Sequence, residues 1–290
     1  MSFIRARFIR IGFWLFAILM VGISAAAWRA PPTDSTADVL VYPVGIAVRG
    51  EQEIFVADLE VHGIWQIDGA TLRMYFQGKK QFRTPINRPR ALAIDGEGRL
   101  LAGCSATREV FRFNAADQPE PLTGGGIGNP IDIAVNRAGE LLVSDLELHC
   151  IWKVPAAGGK AEKFVEVPAP RGLSIDADDR LWVVSHGGKA SLVRVSADKQ
   201  IETIVAGRAF RFAHDVAVDK EGTAFVSDGY AATIWKVGAE GTPVAWAQGD
   251  PLKSPTGLAW QGETLLVADP KACAILRIDA DGVATAMELN

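Results

Sequence analysis

The sequence has 290 residues, 49% of them hydrophobic, and a formal net charge of -4. That composition excludes a disordered chain, and the lack of a basic excess excludes a general affinity for nucleic acid. The chain is long enough to bury a large core. Its three cysteines, Cys104, Cys150 and Cys273, leave at least one thiol unpaired.

The first forty residues differ from the rest. Arg5, Arg7 and Arg10 precede Ile11 to Ala27, seventeen residues without a charge. Basic residues before an apolar run hold that end in the cytoplasm. The run falls between the short core of a cleaved signal and the ~20 residues of a full span. Ala25-Ala26-Ala27 suits signal peptidase. Residues 1-27 are therefore expected to form one hydrophobic helix, either a signal peptide or an N-terminal membrane anchor. Either way the remainder is exported, periplasmic or otherwise extracytoplasmic. Residues 28-37, WRAPPTDSTA, read as a Pro/Ser/Thr linker.

From residue 38 onward the chain repeats. The stretch HDVAVDKEGTAFVSDGYAATIWKV, His214 to Val237, has two alternating apolar runs joined by a glycine turn, a short loop, and a third run. Related copies place Gly45, Ala91, Asp132, Gly172, Asp215 and Gly257 in one register, at spacings of 46, 41, 40, 43 and 42 residues. A four-stranded repeat of this period is the mark of a propeller blade. Six copies fill residues 38-290, so the expected fold is all-β, a six-bladed β-propeller of four-stranded antiparallel blades. Asp38 to Tyr42 and Thr285 to Leu289 are both spare outer strands, and one or both should complete blade 6.

Taken in order, repeat 1 is followed by a long basic connection with Lys79, Lys80, Arg83, Arg88 and Arg90. Repeat 2 carries Cys104 where other copies have Asp, and its last strand, PEPLT, is weak. The TGGGIGNP after it lacks the helix and Lys-Ser/Thr of a phosphate loop. Repeat 4 has one extra residue before its third strand and Ser185 in place of Asp. In a meander, loops alternate between two faces. Ordinary hairpin turns such as DGEG and DKEG fall on the bottom. The top takes the irregular loops, where function concentrates on rigid scaffolds.

All four histidines fall on the top face: His62, His149 and His186 in loops, and His214 at the start of an inner strand. Inner-strand starts line the channel mouth, as Val44, Arg90, Ile131, Arg171, His214 and Thr256. Asp58, Asp145, Asp228 and Asp269 recur after the second strand, and are more simply turn caps than acid-base groups. Trp65, Trp152 and Trp235 read as packing residues. His62 and His149 occupy equivalent loops in different blades, so they do not form a zinc site, and no metal or cofactor is expected. His214 with Asp215, Tyr230, and the arginines at the mouth can bind an anion or polarise a carbonyl.

The copies FVADLEVHGI, LLVSDLELHCI and AFVSDGYAATI resemble NHL repeats, over residues 38-290. Such propellers serve as binding platforms, sensors and enzymes. HDVAVDKEGTAFVSDGYAATIWKV also resembles the peptidyl-hydroxyglycine amidating lyases, which implies a catalytic role for Tyr230. Of that family's metal histidines only His214 has a counterpart. Gluconolactonase-like propellers hold a divalent metal through Glu, Asn and Asp at inner-strand starts, and the six mouth residues include none of these. The expected ligand-binding set is therefore Arg90, Arg171, His214, Asp215 and Tyr230, with His214 and Tyr230 as catalytic candidates. The expected function is binding of a small anionic molecule or a protein partner on the top face. The alternative is a hydrolase or lyase acting on a small anionic ester or lactone. Membrane contact is expected only through the N-terminal segment.

Overall fold

The computed structural model describes residues 39-81 and 84-290. The expected N-terminal helix and linker lie outside the described residues. Twenty-four strands form six antiparallel sheets of four, each built from consecutive strands. The innermost strands, here called A, touch their neighbours in a closed cycle, so the sheets are six blades around one axis. Among the described residues no helix forms.

The second strand of each blade, B, shows why the sequence runs are so apolar. In blade 1, Glu53–Asp58, the residues after Glu53 are all buried. Side chains alternate across a strand. Phe55 and Ala57 therefore pack towards blade 2, while Ile54 and Val56 pack towards blade 6. Both faces are covered, so strand B reads as a continuous hydrophobic run. The core is the sum of six such interfaces.

Blade 6 is completed by the C-terminal candidate, as a short outer strand at Ala284–Ala286. Beyond it the Met287 amide bonds the Ile275 carbonyl at 2.9 Å, and Asn290 exchanges bonds with Ala70 and Leu72 of blade 1 at 2.8 and 3.0 Å. The other candidate adds no strand: residues 39-42 are irregular. Leu40 instead buries itself beside Leu266, Ala268 and Ile275. The weak strand of repeat 2 shrinks to Pro119–Pro121. All three cysteines are free thiols, Cys104 and Cys150 buried and Cys273 exposed.

The recurrent Asp is a latch between loops. Asp145 is fully buried and accepts bonds from the amides of Gly128, Asn129, Glu147 and Leu148 and from the Trp152 indole, at 2.6–3.0 Å. Asp58, Asp228 and Asp269 make the same kind of network. Each carboxylate thus ties the loop after strand B to the connection entering its own blade, as turn-capping acids do.

Candidate functional site

The channel mouth is made by a repeated irregularity. In blade 1, Pro43 pairs with Asp58 and Gly45 with Ala57, so Val44 has no partner. The same skip leaves Arg90 unpaired in blade 2, Ile131 in blade 3, Arg171 and Gly172 in blade 4, and His214 and Asp215 in blade 5. A bulge bends the strand and re-aims side chains. Here it faces them to the axis, and with Thr256 of blade 6 they line a cavity of about 100 Å³. The lining residues occupy three successive positions along the inner strands. Val44, Arg90, Ile131, Arg171, His214 and Thr256 come first, at the mouth. Gly45, Asp132, Gly172, Asp215 and Gly257 follow. Ile46, Leu92, Ile133, Leu173 and Leu258 are the third, apolar set.

The two arginines have no acidic partner. Neither makes an ion pair with a described residue. The Nε of Arg171 is buried without a hydrogen-bond partner. Its guanidinium lies 4.6 Å from the centre of the Phe212 ring. Burial and then the Arg90 charge lower the Arg171 pKa to about 10, and burial followed by Arg88 lowers that of Arg90. Among the described residues neither guanidinium seals a blade interface by pairing with an Asp.

His214 is a neutral imidazole at neutral pH. Burial, then Arg171 and Arg90, push its pKa down to about 3. Phe212, which the sequence reading did not single out, organises this side of the mouth. His186 and His214 meet its ring edge-on at 4.6 and 4.9 Å, and Tyr230 stacks on it at 4.7 Å. Tyr230 is 68% exposed and stands on the rim, not in the axial cavity. The remaining histidines bridge loops. His149 Nδ1 accepts from the Ala169 amide at 3.0 Å, His186 Nε2 lies 2.5 Å from the Ala213 carbonyl, and His62 contacts the Asn87 carbonyl.

Asp132 was the larger omission. It lines the same axial cavity as Asp215, and the two carboxyls influence one another's ionisation. Each also accepts from the next blade: Asp132 from the Leu173 amide at 2.7 Å, Asp215 from the Leu258 amide at 2.8 Å. Both have some surface on the channel but lie deep in the protein, so the water they meet is confined. Burial raises Asp132 to about 7, against the opposing amides of Leu173 and Ile133. Burial and then the Asp132 charge hold Asp215 well above the usual carboxylate range. Both carboxyls therefore resist ionisation, burial acting first on each. Asp132 sits in the same repeat register as Asp215, and this was the available signal. A second signal was Ser144 and Ser227, whose hydroxyls accept from the amides of Asp132 and Asp215 at 3.0 Å.

A divalent metal does not fit this site. Cationic guanidiniums hold two of the six mouth positions, and among the described residues no three His, Cys, Asp or Glu converge as a metal centre requires. A larger depression of about 490 Å³ opens on the bottom face, with walls that include Phe225, Trp246 and Trp260. Lys220 and Glu263, at its edge, are 3.5 Å apart in an ion pair.

No protein-family model matches the sequence, and no curated protein matches it. Solved structures do. A gluconolactonase from Xanthomonas campestris superposes with a TM-score of 0.69 at 16% identity, over 80% of this chain and 85% of that one. A virginiamycin B lyase from Staphylococcus aureus gives 0.64 at 15% identity, over 86% and 84%. A chain of a nidogen–laminin complex gives 0.67 at 14% identity, over 86% and 93%. These likenesses establish the six-bladed propeller fold. They join a gluconolactonase, a lyase and a chain of a nidogen–laminin complex, so the fold does not choose among functions.

Proposed function

We propose that this protein is an exported or membrane-anchored propeller that binds the anionic group of a small molecule at the axial mouth of its top face. The observation that carries this reading is the pair Arg90 and Arg171, neither neutralised by a described acid, with the Arg171 Nε buried and unbonded. A buried cation without a partner is costly. A ligand carboxylate or phosphate would supply the missing acceptor, and the planar guanidinium fork suits it. Confinement in a narrow channel strengthens the attraction over that in open solvent.

A second reading is favoured by Asp132 and Asp215, two carboxyls in one cavity whose pKa values burial raises. A carboxyl that keeps its proton near neutral pH can donate to a carbonyl, and its ionised partner can accept one. With neutral His214 at the mouth, this furnishes general acid-base chemistry of the kind a hydrolase or lyase uses. The gluconolactonase and virginiamycin B lyase likenesses are compatible with it. A reacting carbonyl would enter with its anionic group at the arginines.

The test is calorimetric titration of the purified propeller with small carboxylates, acetate and citrate first. Binding that is saturable, and abolished in Arg171→Ala at unchanged folding, supports the reading. Equal affinity in wild type and Arg171→Ala would contradict it. Export is tested separately, by adding protease outside spheroplasts: digestion of the propeller is expected, and protection opposes export.

A further inference from the structure

We propose that a pocket on the top face, between blades 4 and 5, is a second anion site, suited to a doubly charged oxyanion such as a phosphate monoester. Blade 4 is the repeat with an extra residue after strand B. The extra residue is accommodated downstream as a bulge: Ala190 pairs with Ala206 and Leu192 with Val205, which leaves Ser191 out of register. Ser191 is only 6% exposed, yet its hydroxyl has no hydrogen-bond partner. A buried polar group without a partner is uncommon and marks a strained or functional position.

That hydroxyl borders a cavity of about 210 Å³, lined also by Arg208, Arg211, Gly187 and Gly188. Both arginines are exposed, and neither forms an ion pair with a described residue. Two guanidinium forks and a hydroxyl donor match the several oxygens and the double charge of a phosphoryl group better than a single carboxylate. Phe212 is a common wall: it lines this pocket and carries Arg171 of the axial mouth on its ring. The two sites are therefore adjacent but use different arginines, and this one does not rest on the function proposed for the axis.

The experiment is titration of the protein with inorganic phosphate, and separately with acetate, at constant ionic strength in the Arg171→Ala variant, which removes the axial contribution. One saturable phosphate event is expected, tighter than any with acetate. Adding Arg208→Ala and Arg211→Ala should weaken it about ten- to a hundredfold, as for lost charge-assisted bonds. Ser191→Ala should weaken it too while leaving the phosphate-free melting temperature equal or higher, because an unsatisfied buried hydroxyl is removed. No saturable phosphate binding, binding that survives loss of both arginines, or acetate bound equally well would each overturn the proposal.

Discussion

Asp132 of blade 3 and Asp215 of blade 5 line one axial cavity from either side of blade 4, and burial raises the pKa of both carboxyls. Each carboxyl also fastens the next inner strand, Asp132 that of blade 4 through the Leu173 amide and Asp215 that of blade 6 through the Leu258 amide.

The pair makes stability depend on pH near neutrality. The folded pKa of Asp132, about 7, lies above the ordinary carboxylate value. A raised folded pKa gives stability that is complete below the unfolded value and is lost as pH rises through the folded one. Wild type should therefore lose on the order of 1–3 kcal/mol between pH 5 and pH 8 from this pair. Asp132→Asn keeps an acceptor for Leu173 and removes the repulsion. Its melting temperature should fall less over that range, and parallel curves for the two proteins would show that Asp132 does not carry the pH dependence.

Gly172 is required by the close approach of the blade 5 inner strand at Asp215. A Cβ there would collide with the carboxyl and Cα of Asp215. Gly172→Ala should cost about 1–3 kcal/mol or more in denaturant unfolding, the usual penalty of overpacking. Gly238, where an added Cβ meets nothing within 4 Å, is the matched control. Equal effects at the two positions would count against the close approach.

The latch acids predict acid sensitivity of the opposite sign. Burial pushes the Asp145 carboxyl up, but the Trp152 indole and the amides of Asn129, Gly128 and Leu148 outweigh it and hold it below its ordinary value. Its contribution is present above the unfolded carboxylate pKa and is lost as pH falls through the lower, folded one. Asp145→Ala strands several buried donors and should cost about 3–5 kcal/mol at pH 7, with a smaller difference from wild type at pH 3. Urea titrations at the two pH values measure both.

Phe212 holds four site groups by ring contacts alone. Phe212→Leu keeps apolar bulk but not the aromatic face. It should weaken anion binding at the mouth several-fold with a loss of stability of about 1 kcal/mol. Unchanged affinity would mean that Arg171 is held by other contacts.

The repeat made the blades and their faces legible, because strand alternation and turn glycines are local signals that recur at fixed spacing. The bulge was less legible. It is a register slip, visible only when Pro43 and Gly45 are seen to pair with adjacent residues of the next strand. Val44, Arg90, Ile131, Arg171 and His214 were still placed at the mouth, since strand starts must lie there in any meander. Asp132 was in plain register with Asp215, but one position after the starts, and the two lie two blades apart. Phe212 precedes its strand and acts through ring geometry, which no spacing encodes. Tyr230, placed beside the mouth by its loop, stands on the rim as the stacking partner of Phe212.

Whether Arg90 and Arg171 await an anion on the axis is tested most directly by anomalous diffraction from crystals soaked in bromide, with chelators omitted. A bromide peak is expected at the top-face mouth within hydrogen-bonding distance of the Arg171 Nε, and its loss in Arg171→Ala crystals. An empty mouth with bromide bound elsewhere, or both guanidiniums turned outward onto carboxylates, would contradict it.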